Sequence, residues 1–199
     1  MLTKLRSLIY YFFFYPVYKL QFKSLGSRSR IFAPLKLQGK SNISIGNKVT
    51  IEYKTWLAAL PLTNEANCIL EIHNGATIGH FNHIYATKKV VIGENVLTAD
   101  KVYISDNLHS YTNIHLPILQ QPIKQLKDVY IGSGTWIGEN ACIIGATIGK
   151  QCVIGANAVV TKDIPDYCVA VGAPATIIKR YNLKKQRWVK THANGDFVE

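Results

Sequence analysis

The chain reads as an all-β solenoid built from six-residue strand-and-corner units stacked into coils. Ile-Gly recurs at 45–46, 78–79, 92–93, 131–132, 137–138, 144–145, 148–149 and 154–155, so eight of the fourteen glycines follow an isoleucine. Around them a small residue stands two positions before an aliphatic one, as in Ala76/Ile78, Thr135/Ile137, Cys152/Ile154 and Ala158/Val160. A spacing of two puts both on one face of a strand. Each unit is then a short strand ending in a corner at Gly, Asn or Asp, and stacked coils bury an apolar column that no single coil could bury. A doubly wound sheet or an Ig-like sandwich would need helical periods or longer alternating strands, and residues 41–178 contain neither.

Residues 1–40 are an aromatic and basic arm, with eight basic side chains and no acidic one. Leu8 to Tyr18 is an unbroken apolar and aromatic run. As a helix it reaches only about 16 Å at about 1.5 Å per residue, against roughly 30 Å of hydrocarbon, so it cannot span a membrane. It lacks a small-x-small cleavage site and reads poorly as a secretory signal. An interfacial role fits better, with Tyr and Phe at headgroup depth and Lys4, Arg6, Lys19, Lys23, Arg28 and Arg30 facing anionic lipid. The alternative is packing on the protein's own body or on a neighbouring subunit.

Residues 41–178 form the solenoid body, with nine basic and ten acidic residues, so the net charge of +11 resides at the two ends. A nucleic-acid-binding domain would carry its basic surplus on the folded body, and that class is excluded. Cys68, Cys142, Cys152 and Cys168 have no CxxC spacing and read as reduced structural thiols of a cytoplasmic protein, with no metal site. The repeat is interrupted once, by a loop at 105–128. An interruption of that length is usually functional. From Ile143 to Ile148 the spacing is five rather than six, which shortens one corner. Residues 179–199 form a basic tail, expected to begin with a short helix that solvates Lys184, Lys185 and Arg187.

The stretch VYIGSGTWIGENACIIGATIGKQCVIGANAVVTKDIPDYCVAVGAPATII at 129–178 resembles the hexapeptide-repeat acyltransferases, above all bacterial surface-polysaccharide O-acetyltransferases and galactoside and maltose O-acetyltransferases. The resemblance spans about residues 40–180, and VIGANAVVTKDIP followed by VGAPA carries it most specifically. It implies a left-handed parallel β-helix, a homotrimer with active sites between subunits, acetyl-CoA as co-substrate without a metal, and a carbohydrate acceptor.

Transfer of an acyl group from a thioester to a sugar hydroxyl needs a base, and histidine titrates in the right range. The family's catalytic histidine lies at the start of the interrupting loop, which maps it onto His109 in Ser-Asp-Asn-Leu-His, with His115 as an accessory or a surface residue. Asp106 is a candidate to hold the other ring nitrogen, a task a backbone carbonyl performs equally well. By the same match Asn82 would contact the acceptor hydroxyl or else cap its corner, and Trp136 would line the active site or else pack at an interface. Coenzyme A would meet Ala156, Thr161 and Lys162, with Lys179 and Arg180 near its phosphates and Gly138 letting the pantetheine arm approach the backbone. The acceptor implied is a surface polysaccharide or its lipid-linked precursor, handled peripherally on the cytosolic face of the inner membrane through residues 1–30. The alternatives are N-acetylation of an amino sugar nucleotide and, on the same fold, a zinc carbonic anhydrase using His83, His109 and His115.

Overall fold

The computed structural model describes residues 7–65 and 67–198. Two- to four-residue strands visit three parallel sheets in turn and return one coil further along. The first sheet runs Ser24–Leu25, Ile43–Ile45, Ile69–Ile72, Lys89–Ile92 and Val129–Ile131, and single bridges at Ile148 and Ile164 prolong it. The second runs from Arg30–Ile31 to Cys168–Val171, and the third from Lys36–Gln38 to Val159–Val160. The aliphatic member of each unit points inward. Ile45, Ile72, Ile92, Ile131 and Ile148 line one wall, Ile51, Ile78, Ile137 and Ile154 the second, and Leu57, Ile84, Ile104, Ile143 and Val160 the third, all buried. Burying one such side chain contributes about 1.5–3 kcal/mol.

The small inward positions carry a repeated polar device. Ser29 Oγ donates to the Gly46 carbonyl (2.6 Å) and accepts the Val49 N–H (3.0 Å), and Thr135 Oγ1 does the same with Gly149 (2.8 Å) and Cys152 (3.0 Å). Cys152 Sγ stands in that slot one coil later, 3.1 Å from the Pro165 carbonyl and 3.5 Å from the Cys168 N–H. Corner groups that would otherwise be orphaned in the interior are thereby paired between coils.

The structure corrects several expectations. The coils begin at Ser24, inside the segment assigned to the arm, because Ser24–Leu25, Arg30–Ile31 and Lys36–Gln38 already pair with the next coil. The expected C-terminal helix is absent: Thr176–Asn182 folds back antiparallel on Cys168–Val171 and pairs with Arg187–Lys190. Lys184 and Lys185 therefore lie in a hairpin turn, and Tyr181 and Trp188 pack edge to face at 5.6 Å across it. A second excursion, at 60–68, departs from the same corner of the prism as the 105–128 loop. The glycine of Ile-Gly mostly serves axial stacking rather than turning: a Cβ on Gly132 would sit 2.3 Å from the Lys150 nitrogen of the next coil.

Candidate active site

The chain passes from the third sheet to the first at one edge of the prism, and this edge carries the excursion. Asn107–His109 continues outward from Tyr103–Ser105 and pairs antiparallel with Ile123–Gln125, so the loop has a two-stranded base, with His109 opposite Ile123. His109 is exposed at the end of its strand. His115 lies on the exposed outer part of the loop.

Asp106 does not reach His109. It is fully buried, and its Oδ1 accepts from Thr87 N (2.8 Å), Thr87 Oγ1 (3.0 Å) and Asn107 Nδ2 (3.0 Å) while Oδ2 accepts from Lys88 N and Lys89 N, both at 2.7 Å. Three of these donors are backbone N–H groups of the preceding coil's corner, and only an acceptor without hydrogens satisfies all of them. Gln125 closes the other side: its Nε2 donates to the Asp106 carbonyl (2.8 Å), its Oε1 accepts from Thr63 Oγ1 (2.9 Å), and that oxygen lies 2.9 Å from Thr87 Oγ1, whose single hydrogen it shares with Asp106 Oδ1. The two excursions and the intervening corner are thus tied by one buried polar network. Gly145, on the shortened corner, supplies the remaining room, since a Cβ there would lie 2.8 Å from Leu126 Cβ. Thr63, Thr87 and Gln125 escape sequence reasoning because they lie on three different coils, although the end of the excursion was a place to look.

Other expected residues also take definite places. Asn82 is buried as a corner cap, donating to the Ala99 carbonyl (2.9 Å) and accepting the Val102 N–H (3.1 Å), so its amide is committed within the coil. Trp136 is half exposed on the outer face of the second sheet, in one row with Val153, Val169 and Lys179. Gly138 is buried beneath the next coil, where a Cβ would sit 2.6 Å from the Ala156 nitrogen; coil stacking, not a ligand, occupies its open side. Ala156 is exposed at that corner. Thr161 and Lys162 line a cavity of about 360 Å³ with Pro174, Ala175 and Asn194. Arg180 lines a different hollow of about 560 Å³ with Tyr167, Tyr181 and Phe197. His109, Asp106, Thr161 and Lys162 therefore belong to the third-to-first edge of the prism, whereas Asn82, Gly138, Ala156 and Trp136 lie at the second sheet and its far corner.

His83 stacks flat on Trp56, with ring centroids 4.1 Å apart, and meets Tyr103 edge-on at 5.3 Å. Burial lowers its pKa, because the cation loses hydration there. No group of three His, Cys, Asp or Glu side chains among the described residues converges as a metal set. The buried thiols are unreactive by environment, with burial pushing Cys68 up to about 12 and Cys152 to about 11.

Three parallel sheets of short strands, wound around an aliphatic column and interrupted by one histidine-bearing excursion, define a left-handed parallel β-helix of the acyltransferase type. Residues 128–162 match the family model described as the hexapeptide repeat of succinyl-transferase, and this match and the relatives below support the hexapeptide-repeat acyltransferase family. It is 43% identical over 115 residues to a probable acetyltransferase of Mycobacterium tuberculosis, covering 57% of this chain and 38% of that protein. It is 34% identical over 129 residues to the putative lipopolysaccharide biosynthesis O-acetyl transferase WbbJ of Escherichia coli, covering 61% and 66%. The chain thus spans less than two thirds of the length of these two relatives. Among solved structures, a maltose O-acetyltransferase from Clostridium difficile superposes with a TM-score of 0.53 at 26% identity over 89% of this chain and 83% of that one. The N-acyltransferase AntD of Bacillus cereus, in complex with coenzyme A and an amino sugar nucleotide, superposes with a TM-score of 0.70 over 85% and 89%; at 18% identity this likeness concerns the fold.

Proposed function

We propose that the protein is an acetyl-CoA-dependent O-acetyltransferase acting on a sugar hydroxyl of a surface polysaccharide or its lipid-linked precursor. The observation that carries this reading is His109, exposed at the end of a strand whose base is locked by the buried Asp106–Gln125 network. A base held on a fixed strand and open to solvent suits an incoming hydroxyl. His109 takes the hydroxyl proton as the oxygen attacks the thioester carbonyl. The tetrahedral adduct then collapses with loss of the coenzyme thiolate, and the histidine returns the proton to sulfur. Backbone N–H groups stabilise the oxyanion. In this reading the transfer is direct, and the buried thiols of Cys68, Cys152 and Cys168 are poor nucleophiles.

Thr161 and Lys162, on the same prism edge as His109, are suited to the coenzyme, whereas Lys179, in the Trp136 row, and Arg180, in a separate hollow, would meet its phosphates from the side of Trp136. Trp136 and Ala156 lie on another edge of the same chain, an arrangement that supports a homotrimer in which one subunit's second sheet faces the next subunit's excursion. The same reading places the protein peripherally on the cytosolic face of a membrane, beside its acceptor; no helix among the described residues is long and apolar enough to cross one.

The experiment is an NMR comparison of the surface glycan from cells with and without this protein, with His109→Ala as control. O-acetyl signals present only with the wild-type protein are expected. Their persistence without the protein would overturn the reading, and alkali-stable N-acetyl signals in their place would favour an amino sugar acceptor.

A further inference from the structure

The arm has an inverted polarity. Along the helix at 7–21, which includes a π-helical segment at Tyr10–Phe14, the tyrosines face the protein and the purely apolar residues face away. Tyr10 is buried against Phe32, Tyr11, Tyr15 and Tyr18 are packed on the core, and the Tyr15 hydroxyl lies 3.3 Å from the Gly26 carbonyl. On the other side Phe12 and Phe13 are 73% and 71% exposed and Leu20 is 89% exposed, joined by Leu8 and Val17. A helix folded only to close the end of the coils would bury its phenylalanines and expose its tyrosines. Lys19 on the helix itself, Lys23 just after it and Arg28 on the first coil are exposed and supply a cationic rim, and the first acidic residue of the chain is Glu52, on the second coil. Arg30 is not part of the rim, because it bonds Ser7 and Thr50 and lies over Phe32.

We infer that this face docks on an anionic lipid bilayer and holds the coil column end-on to it. The inference rests on the reading of the protein as an acetyltransferase of membrane-attached glycans and adds the orientation and the acceptor length. An apolar face with a cationic rim complements anionic headgroups over hydrocarbon, whereas two copies meeting through this face would bring like charges together. The arm covers the open end of the first coil: Tyr10 packs on Phe32, Tyr15 bonds the Gly26 carbonyl, and arm and coil together line an apolar hollow of about 210 Å³ bounded by Ile31, Ala33 and Pro34. The strand that leads into His109 is three steps further along the third sheet. At about 4.8 Å per step, plus a helix about 10 Å across, His109 stands roughly 25 Å from the docking face. A sugar joined directly to a lipid headgroup does not reach it, so the acceptor is a membrane-attached chain of several sugars.

The test is co-sedimentation of the full chain with phosphatidylcholine vesicles, with and without about one third phosphatidylglycerol, for wild type and Phe12→Ser/Phe13→Ser. Wild type should bind the anionic vesicles, and the double variant should bind on the order of 10-fold or more weakly with unchanged melting temperature. Equal binding by the variant overturns the inference, as does self-association of wild type without lipid that the same substitutions abolish, since the occupant is then a second copy. On vesicles, acceptors bearing a single lipid-linked sugar should be acetylated at least 10-fold more slowly than those bearing several; equal rates overturn the end-on orientation. Acetyl transfer to a soluble oligosaccharide is followed in parallel. If both forms transfer but neither binds vesicles, the docking fails alone; if wild type binds vesicles but transfers to no sugar, the enzymatic reading fails.

Discussion

Replacing Asp106 distinguishes a residue that positions the 105–128 loop from one that acts on His109. In Asp106→Ala, the backbone N–H groups of Thr87, Lys88 and Lys89 lose their acceptor together, as does Asn107 Nδ2, while Thr87 Oγ1 keeps Gln125 Oε1. A hydrogen bond to a charged group contributes about 1.5–3 kcal/mol, and a buried donor left unpaired costs about 1–3 kcal/mol. Lys88 and Lys89 are only partly buried, so water recovers some of that loss, and about 3–5 kcal/mol is a reasonable net cost. For a domain of this size each kcal/mol lowers the melting temperature by about 2–4 °C, which gives a drop on the order of 10 °C by calorimetry. Asp106→Asn should cost somewhat less, because one oxygen remains while the amide sets a donor against two others. Turnover should fall on the order of 10²-fold through misplacement of His109, and the pH at which the rate declines should stay where it is. A melting temperature within about 2 °C of wild type would refute the clamp. A shifted pH profile would show Asp106 acting on the imidazole itself.

Burial lowers the pKa of His83, so between that lowered value and about 6.5 the unfolded chain binds more protons than the folded one. Its contribution is complete above about pH 6.5 and is lost as pH falls through the lowered value; His83→Phe, which keeps the stack on Trp56, should flatten the decline in melting temperature between about pH 7 and 5, and an unchanged slope would remove His83 as its source. Gly132→Ala drives a Cβ to 2.3 Å from the Lys150 nitrogen; it should cost about 1–3 kcal/mol or more, as overpacking does, and a neutral result in denaturant titration would show that adjacent coils can separate at that corner.

The sequence exposes the inward columns because Ile-Gly marks one residue facing the core and one pressed on the next coil, and both demands recur every coil. It exposes the excursion for the same reason, as a gap in that mark. The first coil was equally visible in principle: Leu25, Ile31 and Leu37 stand six apart, but leucine and a single Leu-Gly replace the Ile-Gly signal amid basic residues. The excursion between Ala59 and Ile69 is announced only by Pro61, Asn64 and Asn67, with no glycine among them. The C-terminal hairpin was obscured by lysine and arginine, which suit an exposed strand as well as an exposed helix; the alternation around Tyr181 and Trp188 was the better guide. Least legible were the roles of Asp106 and Gly138. Asp106 lies close to His109 along the chain yet bonds residues 17–19 positions earlier, and Gly138 faces a neighbour one coil away. Contacts between coils follow register, which local spacing does not reveal.

The central claim is that His109 is the base for acetyl transfer to a sugar hydroxyl. Its most direct measurement is release of free thiol from acetyl-CoA by the purified full chain with an oligosaccharide acceptor, for wild type and His109→Ala. The exposed position of His109 means the variant should fold normally, while its turnover falls about 10²–10⁴-fold. Turnover within a few-fold of wild type, in a folded His109→Ala protein, would contradict the claim and place the base elsewhere.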